Sequence, residues 1–187
     1  MILLKDKLIH FSLFFFLVFS NLIAEEKANI IKNLEKTNSI IFDFVQITNE
    51  LEEIGECTIL FPGKMKCFYK NKKQKELIIN DKKLAIIQKR YNKIYFYPIA
   101  KSLLSNILEK EKLIEIIKTS EIKIENEKIY LTKKNGTDRN LTVLFNQYNY
   151  NLNGWIINDS YNNKIIFLIK IKSINEIIKD SLFKFPN

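Results

Sequence analysis

The sequence predicts a mainly β protein of the α+β class: an open antiparallel half-barrel of about eleven strands with helices lying over one face. Three observations predict it. Short runs of β-branched and aromatic residues recur along the 187 residues, each bounded by turn residues. Helical spacing interrupts these runs only near the start and in the middle of the chain. Only four glycines are present, few for the kinks that a tightly closed small barrel uses. The strands are joined almost entirely in sequence, which argues for a strongly curved meander that stays open.

The first segment reads as a secretory signal peptide over residues 1–24. Lys5 and Lys7 precede the apolar run Ile9–Ile23, and Ala24 is followed by Glu25 and Glu26. The run is short for a membrane anchor, which needs ~20 apolar residues. Residues 25–187 then form one domain, long enough for a sizeable core. With no cysteine at the cleavage region, the protein is not expected to be a lipoprotein itself.

Ala28, Ile30, Ile31 and Leu34 place an amphipathic helix at Glu25–Thr37. Ile40–Thr48 reads as a strand with Phe42, Phe44, Gln46 and Thr48 on one side, and Asn49–Ile54 as an acidic turn. Gly55–Tyr69 reads as a hairpin about Pro62-Gly63. Alternation puts Cys57, Ile59 and Phe61 on one face, joined across the turn by Met65, Cys67 and Tyr69. That face carries no charge, and the chain needs something to cover it.

Glu76–Asn80 and Leu84–Gln88 are strands about Asn80-Asp81, and Ile94–Tyr97 is another. Pro98 can open a helix because its missing N–H would have had no partner there. Ile99–Leu108 then sets Leu103, Leu104, Ile107 and Leu108 on one broad helical face, and Glu109–Thr119 continues it with Leu113, Ile116 and Ile117. Strands resume at Glu121–Glu125, Lys128–Lys133, Asn140–Asn146, Asn149–Asp159 and Lys164–Ile171, with turns at Asn135-Gly136 and Tyr161-Asn162-Asn163. Ser173 with Glu176 fits a capping box for a brief helical turn.

Composition narrows the chemistry. The formal charge is +9 from 30 basic and 21 acidic residues. The bases are nearly all lysine; Arg90 and Arg139 are the only arginines, whereas nucleic-acid readers lean on the bidentate arginine fork. Lys70–Lys75 reads as a solvated loop, so nucleic acid is not an expected partner. Cys57 and Cys67 are near mirror positions in the hairpin, and both a cross-strand disulfide and two buried thiols fit the pattern. The single histidine, His10, lies in the signal segment. No Ser-His-Asp set, metal cluster or phosphate loop is recognisable, so neither an enzyme nor a cofactor or metal is expected.

A set of short motifs, in order, resembles the outer-membrane lipoprotein carrier family, LolA. These are Phe44-x-Gln46, then Gly55 leading to Phe61-Pro62-Gly63-Lys64-Met65 and Tyr69, then Ile78-Ile79-Asn80-Asp81-Lys82. Tyr97-Pro98 leads into Leu103-Leu104, Gly154-Trp155 is followed by Asp159, and Leu182-Phe183-Lys184-Phe185-Pro186 closes the chain. The resemblance implies an open half-barrel of eleven strands under a helical lid. It implies a periplasmic carrier of acylated lipoproteins, loaded by an inner-membrane ABC-type release complex and unloaded at an outer-membrane acceptor or the outer membrane itself, and working as a monomer.

The residues expected to bind acyl chains are Phe42, Phe44, Ile59, Phe61, Met65, Tyr69, Ile78, Ile86 and Trp155 from the sheet. From the helices they are Leu34, Leu103, Leu104, Ile107 and Leu108. The family usually has arginine just before the Pro62 position, hydrogen-bonding lid carbonyls; Phe61 stands there instead, and apolar closure against Leu103 or Leu104 is the expected replacement. The same half-barrel also occurs in periplasmic regulators that sense lipoproteins or lipids, which gives the second functional reading.

Overall fold

The computed structural model describes residues 23–135, 139–158 and 163–186. All but the last two residues of the expected signal peptide lie outside this range, as do Gly136 and the Tyr161-Asn162 turn. The first described element is helix α1 (residues 23–36). Six strands follow: β1 (Ser39–Thr48), β2 (Leu51–Leu60), β3 (Lys64–Tyr69), β4 (Lys75–Asn80), β5 (Lys83–Gln88) and β6 (Lys93–Pro98). Helices α2 (Ser105–Leu108) and α3 (Lys110–Thr119) come next. The last strands are β7 (Glu121–Glu125), β8 (Lys128–Asn135), β9 (Arg139–Asn146), β10 (Leu152–Asn158) and β11 (Lys164–Ile174).

Among the described residues these make one open antiparallel sheet of 11 strands, in the order β6-β5-β4-β3-β2-β1-β11-β10-β9-β8-β7. It is two meanders zipped together by the pairing of β1 with β11, Phe44 opposite Ile169 and Gln46 opposite Phe167. The two edge strands, β6 and β7, are consecutive in the chain, so their connection must travel from one edge of the sheet to the other. That connection is the segment carrying α2 and α3, and topology alone therefore suspends these helices across the sheet.

The sheet is curled. β5 and β10 are six places apart in the strand order, and at ~4.8 Å per strand a flat sheet would hold them about 29 Å apart. Yet Leu84 and Ile86 of β5 line the same cavity as Trp155 and Ile157 of β10. The inner face is the main core: Phe42, Phe44, Ile59, Met65 and Ile79 of the first meander join Leu131, Val143, Phe145 and Trp155 of the second, under Ile30 of α1 and Leu113, Ile116 and Ile117 of α3.

Three local expectations are corrected. Residues 51–54 are not a turn but the start of β2, with Thr48 paired to Leu51. Asn49 and Glu50 both take positive φ, 46° and 70°, the two-residue turn whose twist matches a hairpin, so nothing longer is needed. The helix expected over Ile99–Leu108 is broken into a 3₁₀ turn at Ile99–Lys101 and the single turn α2. Pro98 ends β6 instead of opening a long helix. Ser102 is the physical reason: its Oγ accepts the Leu104 N–H at 3.2 Å and its carbonyl accepts the Ser105 hydroxyl at 3.0 Å, local bonds that compete with the helical ladder.

Ser173 caps no helix, because β11 runs on to Ile174. Asn175 then takes φ 62°. Its amide accepts the Asn38 N–H at 2.6 Å and donates to the Lys36 carbonyl at 2.9 Å, tying the chain to the end of α1.

Candidate functional site

Four aromatic rings form a row across the middle of the inner face, one from each of four strands in and around the β1–β11 seam. Tyr69 of β3 meets Phe44 of β1 edge-on at 4.9 Å. Phe44 stacks on Phe167 of β11 at 4.6 Å, and Phe167 on Trp155 of β10 at 4.4 Å with planes 5° apart. The row is possible because Gly55, opposite Phe44 on β2, has no side chain. A Cβ there would lie 2.6 Å from the Phe44 ring and 2.1 Å from the Phe68 carbonyl oxygen.

Beside this row lies a cavity of about 250 Å³. Its walls are Met65, Tyr69, Leu77, Leu84 and Ile86 on one side, Trp155, Ile157, Ile165 and Phe167 on the other, and Leu104 with Ser102 above. Gln46 and Lys75 join Ser102 as its polar members. The Tyr69 hydroxyl donates to Gln46 Oε1 at 2.8 Å. Lys75 sits over the Tyr69 ring, Nζ 3.7 Å from its centre, and is paired with Glu53 at 2.5 Å. Burial, with the Glu53 carboxylate adding to it, pushes the Tyr69 phenol well above its ordinary range, so the ring is neutral and stays a donor.

The lid is fastened at two points near the β2–β3 turn. The Gly63 N–H donates to the Leu108 carbonyl at the end of α2, 2.9 Å. Gly63 is free to do so at φ +75°, a left-handed conformation that glycine adopts without cost. Lys110, at the start of α3, lies over the Phe61 ring at 5.7 Å and donates to the Glu35 carbonyl at 3.2 Å, close to the end of α1. A lid cation thus lies over Phe61, which shares its core cluster with Leu103 and Leu104, and a polar link to a lid carbonyl comes from the backbone of Gly63. On the far flank Lys27 of α1 donates to the carbonyls of Lys118 and Ser120, joining α1 to the end of α3.

Of the residues singled out from sequence, Met65, Tyr69, Ile86, Leu104 and Trp155 line the cavity. Leu34, Phe42, Phe44, Ile59, Phe61, Ile107 and Leu108 are buried in the core that continues from it, with Leu103 packed against them. Ile78 belongs elsewhere and is a correction. Met65 pairs with Ile79, so Ile78 points to the outer face, where it packs with Ala85, Ile87 and Phe183 under the C-terminal segment. Cys57 and Cys67 are directly opposite each other, Cα atoms 4.1 Å apart, and are joined by a disulfide.

Phe167, Leu77, Leu84, Ile157 and Ile165 were not singled out. Phe167 lies in an unbroken apolar run, IIFLI, whose facing only its pairing with β1 and β10 decides.

The sequence pattern of the family described as outer membrane lipoprotein carrier protein LolA matches residues 35–186. No curated protein matches the chain by sequence. Among solved structures, a LolA-superfamily protein from Nitrosomonas europaea aligns at 7% identity and TM-score 0.46, covering 86% of this chain and 98% of that one. The lipoprotein LppX of Mycobacterium tuberculosis aligns at 11% identity and TM-score 0.47, covering 85% and 98%. MucB, which has also been solved in complex with MucA from Pseudomonas aeruginosa, aligns at 9% identity and TM-score 0.51, covering 87% of this chain and 62% of that one.

Proposed function

Since the chain belongs to the outer membrane lipoprotein carrier family, LolA, we propose that it is a periplasmic carrier of acylated lipoproteins. Residues 25–187 are its carrier domain, and it works as a monomer. Its cargo enters from an inner-membrane ABC-type release complex and leaves towards an outer-membrane acceptor or the outer membrane itself. The observation that carries this reading is the apolar cavity between two halves of one curled sheet, under helices strung from edge to edge.

Burying a methylene is worth ~0.8 kcal/mol, so one long acyl chain is worth roughly 12 kcal/mol and several chains more. Release into water would be too slow to be useful, and the cargo must pass directly from one greasy site to the next. Met65, Leu104 and the stacked rings suit transient binding: a soft thioether and flat apolar faces grip any acyl chain and no particular one. No bond is made or broken.

Mass spectrometry of the protein purified from its own periplasm tests the reading. A bound lipoprotein or its acylated peptide is the expected result, and a cavity that never yields acyl chains would overturn it. Trp155, the only tryptophan, lines the cavity and should report filling by an acyl probe as a change in fluorescence. The second reading is a lipoprotein- or lipid-sensing module; MucB, which shares the fold, has been solved in complex with MucA, another protein. That reading requires a stable complex with a protein partner that cargo modulates, where a carrier gives up its cargo to an acceptor.

A further inference from the structure

The two edges of the sheet are built differently. At the β7 edge Glu121, Lys123 and Glu125 alternate with isoleucine, and the charges are paired, Lys123 with Glu125 at 2.5 Å and Lys134 with Glu121 at 3.2 Å. Charge of this kind keeps an open edge from joining other strands. At the β6 edge the guards, Lys93 and Pro98, stand only at the two ends of the strand. Its middle residues are Tyr95, Phe96 and Tyr97, 40, 54 and 48% exposed, and Tyr91 in the preceding turn is 51% exposed.

Basic residues bracket these rings at both ends: Lys82 and Lys83 beside Pro98, with Lys89, Arg90 and Lys93 at the other end. From residue 82 to residue 108 the chain has six basic residues and no acidic one. Behind the strand, on the outer face, a hollow of about 370 Å³ is lined by Lys66, Lys89, Lys93 and Lys184 against the single carboxylate of Glu76.

We propose that the β6 edge seats the protein on a membrane surface that carries anionic lipids. Exposed tyrosine and phenylalanine flanked by lysine is the combination that settles at the headgroup level of a bilayer, rings at the boundary and charges towards the phosphates. The lysine-lined hollow gives a headgroup phosphate a place beside the strand. The position fits the carrier reading, on which this proposal rests for its purpose. Tyr95 and Tyr97 pair across the sheet with Ile86 and Leu84, both of which line the cavity. A bilayer against β6 therefore lies next to the cavity wall.

The test is co-sedimentation of the purified protein with vesicles of phosphatidylcholine alone or mixed with phosphatidylglycerol. Binding is expected only to the mixed vesicles and should weaken as salt is raised. The triple variant Lys82→Gln, Arg90→Gln, Lys93→Gln spares Lys89, whose partner Glu76 is buried. It should lower the partition on the order of 100-fold, at about tenfold or less per basic residue.

Tyr91→Ser with Tyr95→Ser should weaken binding at fixed charge. Three changes elsewhere, Lys32→Gln, Lys36→Gln and Lys164→Gln, should leave it nearly intact. Failure to bind the mixed vesicles, binding indifferent to the first triple change, or equal loss in the control triple would each overturn the proposal. An acyl probe read through Trp155 in the same variants separates the two ideas. Docking fails if vesicle binding is absent while the probe still binds; the carrier reading fails if the probe never binds, whatever the vesicles do.

Discussion

Gly55 decides whether the aromatic row can exist. Any Cβ at this position collides with the Phe44 ring and the Phe68 carbonyl, so Gly55→Ala must push β3 or Phe44 aside. Overpacking of this kind costs about 1–3 kcal/mol. Urea unfolding should show that loss, and Trp155 fluorescence should shift because Phe44 and Trp155 sandwich Phe167.

Tyr69 sets a pH limit. Its folded-state pKa is raised, first by burial and then by Glu53, so the native state holds the phenolic proton more tightly than the unfolded chain does. That stability is complete below the ordinary phenol pKa of about 10 and drains away as pH rises above it, by up to ~1.4 kcal/mol per pH unit. Tyr69→Phe should be less stable at neutral pH, having lost the bond to Gln46, and should flatten the alkaline decline. Sequence could place Phe44 with Phe42 and Gln46, and Tyr69 with Met65 and Cys67, because alternation fixes the faces of each strand. It could not orient Ile78, since Leu77, Ile78 and Ile79 are all apolar and only the pairing with Met65 and Lys66 separates the two sides.

Among the elements, the lid is the one whose sequence signal misled. Leucines at helical spacing from Leu103 to Leu108 do face the interior, but they do so on a chain bent by Ser102 and by an extended Glu109, and short polar side chains of that kind act through bonds that periodicity does not register. The hairpin is the opposite case. Pro62-Gly63 and strict alternation on both arms made its register readable, down to Cys57 facing Cys67. Where the two elements meet, Phe61 lies under the Lys110 ammonium. Phe61→Arg would bring two cations together in place of a cation over a ring, a contact worth about 0.5–1 kcal/mol. The expected outcome is a looser lid: amide hydrogens of residues 105–119 exchanging several-fold faster while those of β1 and β11 are unchanged, and cargo released sooner. If lid exchange and release stay as they were, Phe61 has no part in closure.

At the scale of the molecule, strand number and openness were legible because turns punctuate the chain and glycine is scarce. Strong curvature was legible too, from strands joined in sequence, but the pairing of β1 with β11 that sets it was not, because it spans more than 100 residues and no local pattern encodes it. The curl also fixes the capacity of the closed form. A cavity of about 250 Å³ is small beside a long acyl chain, whose methylenes each fill roughly the ~30 Å³ of a water, so the closed carrier takes only the shorter chains. Fatty-acid probes of increasing length should therefore gain about fourfold in affinity per methylene over that range, the equivalent of ~0.8 kcal/mol each. Longer chains can gain further only by lifting α2 and α3 from Gly63 and Phe61. Hydrogen exchange in the lid should accordingly stay slow with short probes and rise once the chain outgrows the closed space. A constant gain per methylene with no change in lid exchange would mean that the chain lies somewhere other than under these helices.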